Sequence, residues 1–128
     1  MARILIAEDE PDVRAFVRRG LALDGHDIEA VADGGAALDA IRRAGGGFDL
    51  VLSDIKMPVM DGIQLALVIA RDWPRIPVLL MTGYADQRER ACGLDSLIAD
   101  VLQKPFSLDV LRGTVLRVLD DWKPVSTA

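Results

Sequence analysis

The segment from Phe48 to Pro58 constrains the fold of this chain more than any other stretch. Phe48 to Ser53 is a largely apolar run with β-branched and aromatic members, which is typical of a strand buried on both faces of a parallel sheet. Asp54 follows at once, and a proline and an Asp-Gly pair then predict a turn before the next helix. Chemistry in open α/β sheets gathers outside the carboxyl ends of the strands. Asp54 is therefore a candidate site residue, although an aspartate in a turn can also simply cap the local backbone.

Composition narrows the class of protein. A length of 128 residues predicts one domain, over 1–123, with a frayed tail over 124–128. A hydrophobic content of 51% excludes a disordered chain, and a net charge of −5 argues against nucleic acid as a partner. The single cysteine, Cys92, fits a reducing compartment, and no apolar run approaches the ~20 residues of a membrane span. We therefore expect a cytoplasmic protein with no membrane contact.

Apolar periodicity alternates between strands and helices along the whole chain. Strands are predicted over 3–7, 27–32, 48–53, 76–81 and 99–103, and helices over about 11–23, 34–44, 63–72, 85–92 and 108–122. Ser107 is the predicted N-cap of the last helix. Strict alternation of this kind predicts an α/β fold, with a doubly wound five-stranded parallel sheet and helices on both faces.

Polar side chains stand at the carboxyl ends of four of these strands. The first strand ends in Glu8 and Asp9, the third in Asp54, the fourth in Thr82 and the fifth in Lys104. Clustered carboxylates repel one another unless a cation or a proton relieves them, and oxygen ligands of this kind suit Mg²⁺. A lysine and a hydroxyl can bind phosphoryl oxygens, and an aspartate can accept a phosphoryl group as an acyl phosphate. Residue chemistry alone thus indicates Mg²⁺-assisted phosphoryl transfer onto a carboxylate.

The order of these motifs resembles the receiver domain of bacterial two-component response regulators. The matching motifs are Glu8-Asp9, Asp54-Ile55-Lys56-Met57-Pro58 with Asp61-Gly62, Thr82-Gly83 and Lys104-Pro105-Phe106. The resemblance covers nearly the whole chain and implies a flavodoxin-like, CheY-like sheet of order 2-1-3-4-5 with five helices. Among receivers, the stretches 82–85 and 101–104 are most similar to the stand-alone CpdR type, whose members act in cell-cycle proteolysis.

The resemblance implies a role for each residue of the cluster. Asp54 would be the phosphoacceptor. The implied Mg²⁺ ligands are Asp9, Asp54, the backbone carbonyl of Lys56 and, through water, Glu8. Thr82 and Lys104 would bind phosphoryl oxygens, and the peptide bond before Pro105 is expected to be cis.

One position departs from the family pattern. Most receivers carry a tyrosine or phenylalanine three residues before the lysine, as a rotating switch side chain, and this chain has Val101 there. A valine is too small for that movement and has few rotamers. We therefore expect Gly83 and Tyr84 to carry the change, with 83–98, the fifth strand and the last helix as the regulated surface.

The resemblance also implies partners rather than substrates. A sensor histidine kinase or a histidine phosphotransfer protein would dock on Glu10, Val13, Arg14, Pro105 and Phe106. We expect that the chain itself is not an enzyme in the usual sense. It would be a phosphoacceptor that takes part in its own phosphorylation and dephosphorylation. Output would pass through an unidentified protein, with the proteolysis machinery as one candidate.

Two other classes of protein stay open at this point. A phosphatase of the haloacid dehalogenase type also uses an aspartyl phosphate, but it needs a second aspartate where this chain has Lys56. A flavodoxin-like cofactor binder needs a phosphate loop rich in serine, threonine and glycine after the first strand. Here that loop is acidic and would repel phosphate.

Overall fold

The computed structural model describes residues 2–83 and 96–122. Its elements are β1 (Arg3–Ala7), α1 (Pro11–Ala22), β2 (Asp27–Val31), α2 (Gly34–Arg43), β3 (Leu50–Asp54), α3 (Gly62–Asp72), β4 (Val78–Thr82), β5 (Asp100–Gln103) and α4 (Leu108–Asp121). The described residues thus contain four helices, whereas five were predicted. The additional predicted helix, over 85–92, and the predicted tail over 124–128 lie outside the described residues.

The five strands form one parallel sheet in the order β2-β1-β3-β4-β5. This order confirms the doubly wound, flavodoxin-like fold. The strand β3 lies at the centre, and all five of its residues are buried, as expected for a strand covered on both faces. Asp54 is paired with Met81 of β4 and Thr82 with Gln103 of β5. The register therefore brings the carboxyl ends of these strands to one edge.

Alternate residues of each strand enter two separate cores. Leu5, Val51 and Leu80 face the core that α2 and α3 cover. Ile6 and Leu52 face the core that α1 and α4 cover. The period of two residues along a strand explains this division. No helix among the described residues is long and apolar enough to cross a membrane.

Local signals in the sequence define most helix ends. The Ser107 side chain accepts a hydrogen bond from the Val110 N–H at 3.1 Å, so the predicted N-cap of α4 is confirmed. The Asp33 carboxylate caps α2 in the same way, accepting from the Ala36 N–H at 2.7 Å. The helix α3 ends at Asp72, and its C-cap Trp73 has non-helical angles, because a residue that precedes proline avoids helical angles.

The boundary of β3 differs from the prediction. The strand was predicted over 48–53, but it runs from Leu50 to Asp54. The ladder continues past the apolar run because the Ile55 N–H donates to the Met81 carbonyl at 3.0 Å. Asp54 is therefore the last residue of the strand, which fixes its backbone more firmly than a position in the following turn would.

Candidate functional site

The structure brings the predicted site residues together at the carboxyl edge of the sheet. Glu8 and Asp54 are buried, Asp9 is exposed, and the carboxylates offer oxygens that all lie within 4.8 Å of one another. Thr82 is also fully buried beside them, at the end of β4. Burial of carboxylates in such a group is unfavourable without a compensating positive charge.

Lys104 supplies that positive charge. Its Nζ lies 2.7 Å from Oε1 of Glu8 and 3.2 Å from Oδ2 of Asp54. The backbone holds the lysine in place, because the Lys104 N–H donates to the Thr82 carbonyl at 2.7 Å. The cis peptide bond predicted between Lys104 and Pro105 is confirmed. The sequence assigned Lys104 to a phosphoryl oxygen, and its direct pairing with Glu8 was not foreseen.

Burial and pairing alter the protonation of two of these groups. Burial raises the pKa of Glu8 to about 7, although the hydrogen bond from Lys104 acts in the opposite direction. Burial also acts to lower the pKa of Lys104, but the hydrogen bond to Glu8 and the charges of Asp54 and Glu8 outweigh it. The pKa of Lys104 therefore lies above its ordinary value, and the site keeps one fixed ammonium group.

Every polar atom of Glu8 takes part in a hydrogen bond. Its Oε2 accepts from the Glu10 N–H at 3.2 Å, its carbonyl accepts from Nη1 of Arg14 at 2.8 Å, and its N–H donates to the Val31 carbonyl at 3.0 Å. Arg14 was predicted as a docking residue, and the structure places it, half-buried, on the backbone of this loop.

On the other side of Asp54, the β3–α3 loop is held by close backbone contacts. A Cβ added to Gly62 would lie 2.2 Å from the Asp54 carbonyl oxygen, so that only glycine fits there. The Gly62 N–H donates to the Ile55 carbonyl at 2.8 Å. The predicted Asp-Gly turn thus has two functions: Asp61 caps α3, and Gly62 lets the helix approach the phosphoacceptor candidate.

The same loop contains a strained residue. Val59 has a φ of 71°, and the Met60 N–H donates to the Pro58 carbonyl at 2.8 Å across it. This geometry is a γ-turn with positive φ, which is rare and unfavourable for a β-branched residue. The loop also presses on α2, since a Cβ added to Gly34 would lie 2.3 Å from the Met60 carbonyl oxygen. The sequence carries no signal for this turn, because valine is among the residues that least favour it.

A cleft of about 700 Å³ opens over Asp54. Its lining residues are Asp9, Glu10, Asp54, Lys56, Met57, Pro58, Gly83 and Lys104. The cleft has room for a small phosphoryl group, and its lining includes carboxylate oxygens and the ammonium group of Lys104. Such a lining can hold a divalent cation and a phosphoryl group side by side.

A second, apolar cleft of about 370 Å³ lies next to the first. Its lining residues are Asp12, Val13, Phe16, Lys104, Pro105 and Phe106. Three of the five predicted docking residues therefore share one surface. Phe16 was missed, although its position three residues after Val13 places both on one helix face. Its ring lies 6.4 Å from the ring of Phe106, and the residue is 37% exposed.

The predicted switch residues are only partly described. Gly83 is exposed at the end of β4 and lines the cleft over Asp54. Val101 is half-buried in β5 and packs against the core beneath α2 and α3. Tyr84 and residues 85–95 lie outside the described residues.

Comparison with known proteins establishes the family. The response regulator receiver domain family matches residues 4–116, and the chain belongs to this family. The chain is 39% identical over 109 residues to the transcriptional regulatory protein TcrA of Mycobacterium tuberculosis, covering 85% of this chain and 42% of that protein. It spans about half the length of the curated relatives that it matches.

Solved structures agree with this assignment. The chemotaxis response regulator CheY4 of Vibrio cholerae superposes with a TM-score of 0.83 at 30% identity, covering 92% of this chain and 98% of that one. The response regulator TrrA of Thermotoga maritima, in complex with Mg²⁺ and BeF, superposes with a TM-score of 0.81 at 29% identity, covering 92% and 99%. The family match decides against the haloacid dehalogenase and flavodoxin alternatives.

Proposed function

We propose that this chain accepts a phosphoryl group on Asp54 and uses it to switch contacts with other proteins. The observation that carries the proposal is the position of Asp54, buried at the end of β3 with Lys104 Nζ 3.2 Å away and the fully buried Thr82 at the end of the adjacent strand β4. We propose that the chain does not turn over a separate substrate. Its reaction is the transfer of a single phosphoryl group onto the chain itself.

In this transfer, an Asp54 oxygen attacks the phosphorus of a phosphohistidine or a small acyl phosphate. The bond from phosphorus to the leaving group breaks as the new O–P bond forms, and the departing imidazole or carboxylate takes the electron pair. Lys104 then has a phosphoryl oxygen as a partner, and the Thr82 hydroxyl can donate to another. Both groups are already present at the strand ends, so little rearrangement is needed to receive the added charge.

The residues also fit the Mg²⁺ on which receiver domains depend. Asp9 and Asp54 offer carboxylate oxygens close together, the donor type that Mg²⁺ prefers, and Lys56 lines the same cleft. We propose Asp9, Asp54 and the Lys56 carbonyl as its ligands. When bound, the ion neutralises charge on the transferred phosphoryl group. The Mg²⁺–BeF complex of the relative TrrA supports this assignment.

The phosphodonor is proposed to be a histidine kinase or a histidine phosphotransfer protein that docks at the apolar cleft. Phe16 extends the predicted docking set and offers an aromatic anchor for an apolar helix face. Phe16→Ala should slow transfer from the partner while leaving labelling by acetyl phosphate unchanged. Leu23→Ala is the matched control, because Leu23 is an exposed apolar residue just beyond the end of α1. Equal slowing by both variants would contradict the docking assignment.

The output partner belongs to the same proposal. The resemblance of 82–85 and 101–104 to the CpdR type supports a stand-alone receiver in the cytoplasm, with a proteolysis component as a candidate partner. The relatives it matches are longer, and one is a transcriptional regulatory protein, so the competing hypothesis is a receiver that controls a further domain. A pull-down that compares wild type with Asp54→Ala separates the two hypotheses, since only the stand-alone receiver predicts a phosphorylation-dependent protein partner.

We propose that Gly83, Tyr84 and β5 transmit the switch.

Labelling with acetyl phosphate tests the central assignment. With Mg²⁺ present, the wild type should gain one acid-labile, hydroxylamine-sensitive phosphoryl group, seen in the intact mass. Asp54→Asn should not gain it, because the amide cannot form an acyl phosphate. Ser53→Ala is the matched control, since Ser53 is the buried neighbour whose hydroxyl donates to the Asp54 carbonyl. Labelling of Asp54→Asn at the wild-type level would refute the proposal.

A further inference from the structure

We propose that a cleft at the amino edge of the sheet binds an α-amino acid with an apolar side chain. This edge lies at the opposite end of the strands from the phosphoacceptor candidate. Asp49 stands just before β3 and Asp54 ends it, so that the two edges are about 17 Å apart along the strand. The site is therefore separate from the one that receives the phosphoryl group.

The cleft has the size of a small-molecule site. Its volume is about 650 Å³, and such sites usually measure roughly 300–1,000 Å³. It opens where β1 and β3 begin and α4 ends, with Ala2, Asp49 and Trp122 in its lining. Among the described residues, it shares none with the cleft over Asp54. A ligand at this edge would not compete with a phosphoryl group.

His26 provides the evidence for a hydrogen-bond acceptor on the ligand. It lines the cleft, and its Nδ1 accepts a hydrogen bond from the Ala2 N–H at 3.1 Å. A backbone amide can only donate, so the proton of the neutral ring is on Nε2. In the part of the chain that the structure describes, Nε2 is the one buried side-chain nitrogen or oxygen without a partner. A buried donor of this kind is unfavourable until an acceptor reaches it.

Arg75 indicates that this acceptor is a carboxylate. The residue is exposed, lines the same cleft and makes no ion pair with another described residue. A guanidinium group can donate two parallel hydrogen bonds to one carboxylate. A carboxylate therefore suits the two donors better than a neutral carbonyl group does.

Two acidic residues in the lining favour a positive charge on the same ligand. Oδ2 of Asp49 already accepts from the Arg3 N–H at 2.8 Å, whereas Asp120 pairs with no other described residue. Asp120 lies in the last turn of α4, and of the four described helices α4 alone has no basic residue there. Because the carboxyl end of a helix is partly negative, a cation is favoured beside Asp120. The same groups disfavour a dianion such as phosphate.

The apolar part of the lining comes mainly from α4. Leu116, Leu119 and Trp122 follow at three-residue spacing on this helix and its C-cap, which places them on one face. Leu116 is 46% exposed, so an apolar group in the cleft would remove part of it from water. A carboxylate, an ammonium group and an apolar body thus each have a counterpart in the lining. An α-amino acid with an apolar side chain is a small molecule that combines all three.

Titration of the wild type with three related compounds tests the proposal. His26 is the only histidine of the chain, so its ring gives a single set of signals in a long-range ¹H–¹⁵N NMR spectrum, which should show the proton on Nε2. L-Phenylalanine should shift the Nε2 signal with a Kd on the order of 1 mM, as expected for a ligand of its size. Phenethylamine, which lacks the carboxylate, should bind about tenfold more weakly. 3-Phenylpropionate, which lacks the ammonium group, should bind about threefold more weakly.

Two variants and a control locate the site, with binding followed on the NMR signals of L-phenylalanine. His26→Asn keeps an oxygen acceptor for the Ala2 N–H and loses the donor at Nε2, so it should weaken binding about tenfold. Arg75→Gln should weaken binding about threefold, because an exposed ion pair contributes little. Arg18→Gln is the matched control and should leave the affinity unchanged, since Arg18 is an exposed arginine of α1 outside the cleft.

Three results would overturn the proposal. The first is that none of the compounds shifts the His26 signals at about 10 mM. The second is that phenethylamine binds as tightly as L-phenylalanine, which would show only attraction of a cation to an acidic edge. The third is equal binding by wild type and Arg75→Gln, or weakening of the same size by Arg18→Gln. If His26→Asn does not fold, as judged by circular dichroism, the three compounds and the arginine variants still decide the question.

Discussion

The loops that flank Asp54 are held in place by different forces. The β1–α1 loop, at 8–10, depends on hydrogen bonds to Glu8, a buried charged residue. The β3–α3 loop, at 55–61, depends on steric contacts that only glycines on neighbouring elements permit. The first loop contributes Asp9 and Glu10 to the lining of the cleft, and the second contributes Lys56, Met57 and Pro58. A change of charge in the β1–α1 loop should therefore alter the chemistry of the site. An added carbon atom against the β3–α3 loop should disrupt the fold.

This difference fits what we propose that each loop contributes. We propose that the first loop provides carboxylate oxygens to a cation, and hydrogen bonds in such a loop can be exchanged when the cation arrives. We propose that the second loop provides the Lys56 carbonyl, and close-packed backbone keeps a carbonyl at a fixed position because it cannot shift without a large energetic cost. Three predictions test this comparison.

The largest effect is expected at Gly62. Because the added methyl group would lie 2.2 Å from a backbone oxygen that cannot rotate away, Gly62→Ala should lower the free energy of unfolding by about 3 kcal/mol. Gly113→Ala is the matched control, since Gly113 lies in α4 with no atom within 4 Å of the added carbon. It should raise that free energy by about 0.5–1 kcal/mol through helix propensity. Urea denaturation measures both. Destabilisation by both substitutions would contradict the steric account.

A smaller effect is expected from the protonation of Glu8. Its pKa in the folded protein, about 7, lies above the ordinary value of 4.5, so the folded state binds more protons between these values. Its contribution to stability is then present below pH 4.5 and lost as the pH rises through 7. In EDTA, the free energy of unfolding of wild type relative to Glu8→Gln should fall by on the order of 2 kcal/mol across this range. A difference that stays constant with pH would show that burial does not control this carboxyl group.

The smallest effect is expected at Val59. Residue 59 is 83% exposed, so little packing is lost on replacement, and glycine adopts a positive φ without the steric cost of a Cβ. Val59→Gly should raise the free energy of unfolding by about 0.5 kcal/mol, because the strain relieved exceeds the entropic cost of glycine. Leu23→Gly, at an exposed position with a φ of −61°, should lower it by about 0.5–1 kcal/mol. Thermal unfolding of the two variants, side by side, distinguishes relief of backbone strain from the general effect of an added glycine.

Much of the candidate site was predictable because its parts are local in the sequence. Asp54 follows an apolar run, and Ser107 precedes a helical stripe. Each signal depends on residues a few positions apart, which adopt the same local structure in any α/β context. The contact of Glu8 with Lys104 was not predictable, because it joins residues 96 positions apart and depends on the reach of two flexible side chains across the sheet. Phe16 was missed for a related reason: its neighbour Phe106 belongs to a different part of the chain.

The sequence by itself determined the order of strands and helices along the chain and the polar residues at the strand ends, because periodicity and turn chemistry act over a few residues. The motifs at those strand ends resemble the receiver family, to which the chain belongs. Only the tertiary structure decided how these residues share their charges and which loop carries strain. Lys104 pairs with Glu8 and Asp54 because two buried carboxylates need a cation. Val59 is held at a positive φ because the loop around it is closed by contacts with Gly34 and Gly62. Both outcomes are set by packing between elements that are distant along the chain.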